Sequence, residues 1–333
     1  MDKMDKWMAC GMEVSAQELV VAVEGESGVR RFANTAAGHQ ALRRALTRGG
    51  KRVRAVMEAT GLYGMDLALA LHGQAGWQVM VANPRAVRHF AQAMLQRSKN
   101  DRVDAVVLRE FAARMPFQEW ARPSATALAL WAISRRLQAL VKQRTAEKNR
   151  QHAAQLTQAV PAVVRREIAR SLRTLEQAIV RLRREARRCI AADARLQRRW
   201  ELLRSITGVG EVSAMSILAE VAMLPEDRDA RQWVAFAGLD PREYSSGTSV
   251  RKQTRISKMG NRHLRHALYM PALVACRHQT HMREFYQRLL QRGKKKRQAL
   301  IAVARKLLHA IYGMFRSNLP YDGTRLFSSV VHP

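Results

Sequence analysis

The sequence predicts a mixed α/β domain at the N-terminus, then a long helical region, then a mainly helical C-terminal domain. Over the first 115 residues, short apolar runs alternate with stretches whose apolar residues recur at helical spacing. Beyond residue 123, helical spacing continues through two stretches that are each longer than thirty residues. We place the domains at 1–120, 121–200 and 201–333, a division that a chain of 333 residues can support.

The N-terminal region has a definite order of elements. Its five predicted strands are Trp7–Met12, Leu19–Val23, Val29–Phe32, Val53–Met57 and Trp77–Val81. Its four predicted helices are Gly38–Thr47, Tyr63–Leu71, Arg85–Leu95 and Arg102–Arg114. Three leading strands followed by alternating helices and strands predict a mixed sheet with helices packed on it. This order is that of RNase H-like (RuvC-like) nucleases.

Two long helices are predicted between the outer domains. Pro116 and Pro123 interrupt the pattern, and Pro161 separates Ala125–Val160 from Val163–Arg199. Leucines contribute to apolar stripes along both helices, namely Leu137, Leu140, Leu156, Leu172, Leu175 and Leu182. We expect a helical hairpin or coiled-coil arm that serves dimerisation, nucleic-acid contact or both. A solvated helical spacer is the alternative.

From residue 201 the pattern predicts a compact, mainly helical domain. The segment Leu203–Gly210 precedes an apolar helix, Val212–Val221. The turn that contains Gly208 and Gly210 resembles a helix-hairpin-helix, in which glycines bring backbone N–H groups and a helix N-terminus close to a phosphate. These two glycines are therefore candidate nucleic-acid contacts, and an ordinary tight turn is the alternative.

The charge balance indicates a polyanionic partner. Lys and Arg total 58 against 27 Asp and Glu, which gives a formal net charge of +31. Such an excess repels itself unless a polyanion neutralises it, and nucleic acid fits because contacts with phosphates release counterions. Residues 1–122 carry 18 basic and 12 acidic side chains, whereas residues 123–333 carry 40 and 15. The second part is the main candidate for a nucleic-acid surface, and a ribosome-associated basic protein is the alternative.

Membrane and secretory classes do not fit this sequence. No apolar run approaches the ~20 residues needed to span a bilayer, and the N-terminus lacks the long apolar core of a signal peptide. Cys10, Cys189 and Cys276 form neither a CxxC pair nor an evident disulfide framework. We expect a cytoplasmic protein with reduced thiols and no membrane partner.

Four acidic residues lie where an RNase H-like fold would gather them. Glu13 lies at the end of the first strand, Glu58 ends the fourth, and Asp101 and Asp104 open a helix. The i, i+3 spacing places the two aspartates on one helical face. Carboxylate oxygens suit Mg²⁺ or Mn²⁺, which polarise a phosphodiester and ready a nucleophile. The alternative for each acid alone is a solvated surface residue or a helix cap, and Asp101 alone would more often be a cap than a ligand. The predicted metal site therefore depends on all four occurring in this order.

A serine-rich segment lies in a strongly basic part of the C-terminal domain. Ser246 precedes Gly247, which lets the backbone approach a ligand closely. The cations that follow could stabilise charge on an attacked phosphate, namely Arg251, Lys252, Arg255, Lys258 and Arg262. A serine hydroxyl needs such assistance to be a nucleophile, so a serine of this segment, Ser245, Ser246 or Ser249, is a candidate. A Ser/Gly loop that binds phosphates without chemistry is the alternative, and composition alone favours it.

Taken together, these motifs resemble those of the IS110 family of insertion-sequence transposases over almost the whole chain. The N-terminal part resembles the family's RuvC-like DEDD domain at Gly11–Ser15, Met57–Tyr63 (MEATGLY), Ala82–Pro84 (ANP) and Asp101–Ala105 (DRVDA). The C-terminal part resembles the family's second transposase domain at Gly208–Ala214 (GVGEVSA), Phe236–Pro241 (FAGLDP), Ser246–Arg251 (SGTSVR) and Arg255–Asn261 (RISKMGN). Each match is modest, and the ordered set is specific.

The resemblance implies a serine recombinase that is guided by a bridge RNA. In that family four acids bind divalent metal, and the serine that matches Ser246 attacks DNA and forms a covalent phosphoserine link. A structured RNA from the element's own end specifies donor and target DNA by base pairing. Active sites are shared between protomers, which implies a dimer or tetramer. Two other functions stay open: a metal-dependent nuclease that hydrolyses DNA junctions, and a catalytically decayed transposase that only binds nucleic acid.

One residue departs from the family pattern. The family's first acid is usually Asp, whereas this chain has Glu13. The additional methylene moves the carboxylate by ~1.5 Å, and Mg²⁺ prefers a near-ideal octahedral set of ligands. Metal placement is therefore the point at which this chain is expected to differ from its relatives.

Overall fold

The chain folds into two compact units. A computed structural model describes residues 7–59, 61, 63–246 and 250–326, with the backbone alone for 243–246 and 250–253. Unit 1 is Met1–Arg122 and unit 2 is Pro123–Pro333. Their boundary lies two residues beyond the end of the predicted N-terminal domain.

Unit 1 is built on a five-stranded mixed sheet. Its strands are β1 (Trp7–Val14), β2 (Glu18–Val23), β3 (Val29–Ala33), β4 (Arg52–Glu58) and β5 (Trp77–Ala82). β1 pairs antiparallel with β2 and parallel with β4, and the sheet order is β3-β2-β1-β4-β5. The helices are α1 (Ala36–Thr47), α2 (Met65–Leu71), α3 (Pro84–Ala93) and α4 (Asp101–Arg114). The predicted mixed α/β domain is confirmed, and this order of elements is consistent with an RNase H-like fold.

The sheet is the middle of three layers. Cys10 and Met12 of β1 are fully buried in a core that contains Leu42 of α1 and Leu67 of α2. Ala9 of the same strand belongs to a second core, which it shares with residues of α4. Because successive residues of a strand point to opposite faces, α1 and α2 cover one face of the sheet and α4 covers the other.

Gly11 permits a close approach of α4 to the sheet. A Cβ atom at this position would lie 2.1 Å from the carbonyl oxygen of Ala105 and 2.2 Å from the amide nitrogen of Arg109. Both neighbours are backbone atoms of α4, which cannot move aside as a flexible side chain can. The lack of a side chain at Gly11 therefore allows α4 to pack directly on β1.

Unit 2 is mainly helical. Its helices are α5 (Ala125–Gln155), α6 (Ala162–Ala191), α7 (Ala194–Arg204), α8 (Glu211–Val221), α9 (Ala230–Ala237), α10 (Arg262–His278), α11 (Thr280–Gln291) and α12 (Lys296–Ser317), and a short 3-10 helix, Thr324–Leu326, follows. α5 and α6 pack along each other, as the two predicted long helices would. None of the helices among the described residues is both long and apolar enough to cross a membrane.

The prediction of one continuous helix over Val163–Arg199 is wrong. The first helix ends at Ala191, and Asp193 begins the next by accepting hydrogen bonds from the backbone N–H groups of Arg195 and Leu196 at 3.0 Å each. Asp is a favoured N-cap residue because its carboxylate satisfies amides that have no partner within the helix. Apolar spacing continues across this break, so periodicity alone did not reveal it.

One hydrophobic core joins the long helices to the C-terminal helices. Leu130 and Leu137 of α5 and Ile190 of α6 pack in the same cluster as Leu218 of α8 and Leu308 of α12. The helical region that was predicted as a separate domain, 121–200, therefore shares one compact unit with the C-terminal region.

A β-hairpin that was not predicted from the sequence interrupts the helices of unit 2. β6 (Pro241–Ser246) pairs antiparallel with β7 (Val250–Ile256). A strand is normally recognised by alternating apolar and polar residues. Every residue of β7 between Val250 and Ile256 is polar, so this signal is absent.

Candidate active site

Two adjacent strands of unit 1 position two of the predicted acids. Met12 of β1 pairs in parallel register with Met57 of β4, so Glu13 and Glu58, one residue further on, are neighbours at the same edge of the sheet. Met12 and Met57 belong to the core on the α1–α2 face. By alternation, the two glutamates lie on the face that α4 covers, and both are half-buried.

The first turn of α4 supplies the other two acids. Asn100 caps the helix, and its Oδ1 accepts a hydrogen bond of 2.9 Å from the backbone N–H of Val103. Asp101 is exposed, and Asp104 is half-buried. Because residues three apart share a helical face, the cap and the close packing of α4 on β1 bring these carboxylates toward the ends of β1 and β4.

The four carboxylates act on one another electrostatically. The pKa of Glu13 is raised to about 7, first by burial and then by the negative charges of Asp104, Glu58 and Asp101. Burial also raises the pKa of Glu58 and of Asp104, and the neighbouring acids add to both effects. Each of the other three acids predicted from the sequence therefore contributes to the electrostatic environment of Glu13.

The chemistry of this group fits a divalent cation. Within the described residues, no set of three or more His, Cys, Asp or Glu side chains is arranged to hold a metal ion. The four carboxylates therefore influence one another electrostatically but do not form a closed ligand cage. Their donors are all carboxylate oxygens, which suit Mg²⁺ or Mn²⁺. A cation among them would relieve the repulsion that contributes to the raised pKa of Glu13.

Lys99, which was not predicted from the sequence, also acts on these acids. Burial is the main cause of the raised pKa values of Glu13, Glu58 and Asp104, and the positive charge of Lys99 opposes it at all three. Lys99 is exposed and directly precedes the N-cap residue Asn100. In the sequence, Lys99 could have been recognised as a cation that lies immediately before a helix with two acids in its first turn.

In unit 2, two of the sequence motifs fold against each other. The backbone N–H of Ser257 donates to the carbonyl of Asp240 at 2.9 Å, and that of Asn261 donates to the carbonyl of Phe236 at 2.5 Å. A Cβ atom at Gly260 would lie 2.0 Å from the carbonyl oxygen of Phe236. These contacts fix the segment that connects the hairpin to α10.

Three of the five predicted basic contacts have side chains that the structure describes. Arg255, Lys258 and Arg262 are exposed, and they lie in β7, in the connecting segment and at the start of α10. Arg251 and Lys252 lie in β7, but their side chains are outside the described part of the chain. These three cations lie close together in sequence and are exposed, so phosphates of a nucleic acid can reach them.

Ser246 is the last residue of β6, and its backbone pairs with Val250. Its side chain and the whole of Gly247 lie outside the described residues. Ser257, another serine of this region, is buried and donates its hydroxyl to Oδ1 of Asp240 at 2.5 Å. A hydroxyl held in this way supports the fold and is poorly placed to attack a substrate.

The glycine turn before α8 has a packing role. Gly208 has a φ of 95°, and a Cβ atom there would lie 2.7 Å from Cγ1 of Val274 in α10. Gly210 is the N-cap of α8, and a Cβ atom there would meet nothing within 4 Å. Gly208 is therefore explained by its backbone conformation and close packing, and only Gly210 leaves room for a ligand. The helix-hairpin-helix interpretation stays a prediction.

A buried charged network in unit 2 was also missed. Glu220 of α8 is fully buried, and its Oε2 accepts hydrogen bonds from Nη2 of Arg135 at 3.1 Å and from Nδ2 of Asn261 at 2.6 Å. Asn261 in turn caps α10 by accepting from the backbone N–H groups of His263 and Leu264. The network links α5, α8 and the start of α10. The available signal was a carboxylate within the apolar second half of α8, residues 217–221, because buried charges are almost always paired.

Comparison with family models assigns both units. The model described as "Transposase IS116/IS110/IS902 family" matches residues 200–287. A second model, described as "Transposase" and covering DEDD transposases of the IS110 type, matches residues 10–161. The second match includes all four acids of unit 1, and the first includes Ser246 and the basic segment after it.

Comparison with known proteins agrees with the matches to the family models. The chain is 30% identical over 271 residues to the "Pilin gene-inverting protein" of Moraxella bovis, which covers 80% of this chain and 81% of that protein. The protein of the same name in Moraxella lacunata matches to the same extent. The "Probable family 20 transposase" of Pseudomonas aeruginosa is 37% identical over 131 residues, which covers 38% of this chain and 37% of that protein. Since these matches agree with both family models, the chain belongs to the IS110 family of insertion-sequence transposases and is a DNA transposase.

Proposed function

We propose that this transposase cuts and rejoins DNA through a covalent phosphoserine link at Ser246, with divalent metal held by Glu13, Glu58, Asp101 and Asp104. The observation that carries the proposal is the position of Glu13 beside Glu58 at one edge of the sheet, where the charges of Asp104, Glu58 and Asp101 raise its pKa beyond the effect of burial. Acids whose pKa is shifted by burial and by one another are typical of functional sites. Membership of the family supports the same assignment, residue by residue.

The four carboxylates would bind Mg²⁺ or Mn²⁺. Such an ion stabilises negative charge that develops on a phosphodiester and favours ionisation of the nucleophile. The role of the protein is to hold these acids in fixed positions on strands and a helix. Glu13 and Glu58 lie on adjacent strands, and Asp104 lies on a helix that packs directly on Gly11.

The proposed covalent step conserves the number of phosphoester bonds. The hydroxyl of Ser246 loses its proton, and its Oγ forms a bond to a DNA phosphorus atom. The bond from phosphorus to one deoxyribose oxygen breaks, and that oxygen takes up a proton. In the reverse step, a deoxyribose hydroxyl of the exchanged strand attacks the phosphorus, which releases the serine and rejoins the DNA. Exposed cations such as Arg255 and Lys258 offer positive charge to the phosphate.

Capture of the covalent adduct tests this mechanism. A DNA target that stalls after cleavage would be incubated with the protein, trimmed with nuclease and analysed by mass spectrometry of the digested protein. We expect a nucleotide on the peptide that contains Ser246. Metal-dependent nicking without an adduct at any serine would instead establish the hydrolytic junction nuclease. Loss of both activities with nucleic-acid binding retained would establish a decayed transposase.

We also propose that a structured RNA from the element selects the DNA and that the protein acts as a homo-oligomer, a dimer or tetramer. The 40 basic and 15 acidic residues of 123–333 support binding to a folded RNA. The two Moraxella relatives are named for inverting a pilin gene, which supports rearrangement of DNA by this chain as well. Family membership supports assembly of several copies.

For RNA guidance, we expect the transcript of the DNA that flanks the element to bind more tightly than an unrelated RNA of equal length. Contacts with phosphates alone weaken steeply as salt rises, so the preference should grow between about 0.05 and 0.2 M salt. Competition binding with the two RNAs measures it. Equal competition by both RNAs throughout this range would contradict guided recognition and would leave the serine chemistry untouched.

For the first acid, we expect Glu13→Asp to preserve or raise strand exchange and Glu13→Ala to remove it. Aspartate withdraws the carboxylate by ~1.5 Å and restores the acid that is usual in the family, whereas alanine removes a ligand. The measurement is the rate of strand exchange over a titration of Mg²⁺, with the thermal midpoint of each variant as a control for folding. If Glu13→Ala recombines at the rate of the unmodified protein, Glu13 does not bind metal.

A further inference from the structure

We propose that one exposed face of α6 binds the phosphate backbone of double-stranded DNA. Six arginines recur every three or four residues along this helix, with Gln177 at the one remaining position of the repeat. This set, called the arginine stripe, is Arg166, Arg170, Arg173, Arg181, Arg184 and Arg188, and each member is exposed. Residues at this spacing in a helix of 3.6 residues per turn lie along one face.

The arginine stripe lies opposite the face that α6 uses for packing. The buried residues of the helix are Leu172, Ile179, Ala186 and Ile190, and α6 packs along α5. At 100° per residue, these positions fall about half a turn away from the stripe. The stripe is therefore not part of the hydrophobic core of unit 2, and its charges are available to a partner.

Of the three acids of α6, only one pairs with the stripe. Glu167 is exposed and forms no ion pair among the described residues. Glu176 faces α5, where Nζ of Lys148 lies 3.6 Å from its Oε1. Glu185 pairs with Arg188 at 3.3 Å. Among the residues that the structure describes, the other five arginines of the stripe have no carboxylate partner. Like charges four residues apart repel and weaken a helix, so a partner that brings negative charge along this line would stabilise it.

The dimensions and the chemistry of the stripe fit duplex DNA. Arg166 and Arg188 are 22 residues apart, which corresponds to about 33 Å at 1.5 Å per residue. One turn of B-DNA spans roughly 34 Å, and guanidinium groups bind phosphate oxygens in a bidentate manner. The match is to the repeat of B-form DNA, whereas an A-form RNA duplex has different groove dimensions, and the test below distinguishes the two. Pairing of this face with the same face of a second copy is disfavoured, because the arginines of the two copies would repel each other.

A salt titration of binding to a DNA duplex tests the proposal. The variant Arg166→Gln/Arg173→Gln/Arg184→Gln removes three charges from the stripe and keeps helix propensity nearly unchanged. Each lost phosphate contact reduces the slope of log K against log salt by about 0.9, so we expect a slope smaller by about 2.7. Binding is measured with EDTA present, so that no cleavage occurs. Circular dichroism and the thermal midpoint should match those of the unmodified protein.

The matched control is Arg44→Gln/Arg48→Gln/Lys51→Gln, which removes three exposed cations from unit 1. We expect this control to keep most of the slope, because it lowers the net charge equally but leaves the stripe intact. The proposal is overturned if the stripe variant keeps its slope, or if the control loses as much. A loss confined to duplex RNA, or a changed oligomeric mass without a change in the DNA slope, would also overturn it by assigning the face to RNA or to a second copy. The proposal does not depend on the chemistry of Ser246, which this assay does not measure.

Discussion

Replacing Ser246 with alanine is expected to eliminate both the recombined DNA and the covalent protein–DNA adduct. Without Oγ, no phosphoserine bond forms, and the exchange reaction has no nucleophile in the protein. Removal of a covalent nucleophile typically lowers the rate by roughly a millionfold, which would place product below detection. Product is measured by strand-exchange assays, and adduct is measured on denaturing gels followed by mass spectrometry.

Ser245→Ala is the matched control for this experiment. Ser245 precedes Ser246 in β6, and its loss removes the same hydroxyl from the same strand. We expect this control to retain product and adduct, and both variants should bind DNA and melt like the unmodified protein. An adduct on Ser245 or Ser249 would move the nucleophile to that residue. Undiminished recombination by Ser246→Ala would exclude the proposed covalent step.

Replacing Asp104 with asparagine, or Glu58 with glutamine, is expected to slow strand exchange by at least about a thousandfold, which equals about 4 kcal/mol of activation free energy. The amide keeps the size of the side chain but loses the negative charge that would hold the metal. Binding to RNA and DNA should persist, because 40 of the 58 Lys and Arg residues lie in unit 2. Single-turnover strand exchange and filter binding measure the two effects separately.

Glu119→Gln is the control for these acids. Glu119 is an exposed carboxylate of unit 1, so its replacement changes the net charge by the same amount. We expect this variant to exchange strands at the rate of the unmodified protein. If Asp104→Asn remains within about tenfold of that rate, then Asp104 contributes less than about 1.4 kcal/mol to the barrier and is not a required metal ligand.

The secondary structure of unit 1 could be predicted because its pattern is local. Val53, Ala55 and Met57 alternate along β4 and bury the same face of the sheet, so apolar spacing alone locates the strand. The helical spacing of Arg102–Arg114 likewise predicts α4 to within one residue of its start, whereas its cap is Asn100 and not Asp101. The need for glycine at position 11 could not be predicted, because it arises from backbone atoms of α4 that are more than ninety residues away in sequence.

In unit 2, the end of α6 and the β-hairpin were not predicted, because apolar periodicity carries no information at either place. The helical pattern is continuous on both sides of Asp193, so nothing in its period marks the end of α6. The hairpin of β6 and β7 has few apolar residues, and therefore its strands could not be distinguished from a basic loop. In both places a backbone feature, a cap or a strand pairing, decided the structure where apolar periodicity was uninformative.

By itself, the sequence determined the order of elements in unit 1, the presence of two acids at strand ends and two at a helix start, and the basic character of unit 2. These properties are consequences of residue type and short-range spacing. Only the tertiary structure decided that Lys99 acts on three of the acids. It alone decided that Glu220 is paired with Arg135 and Asn261, which are 85 and 41 residues away along the chain. The physical reason is that a buried charge requires a partner, but which distant group reaches it depends on how the helices pack.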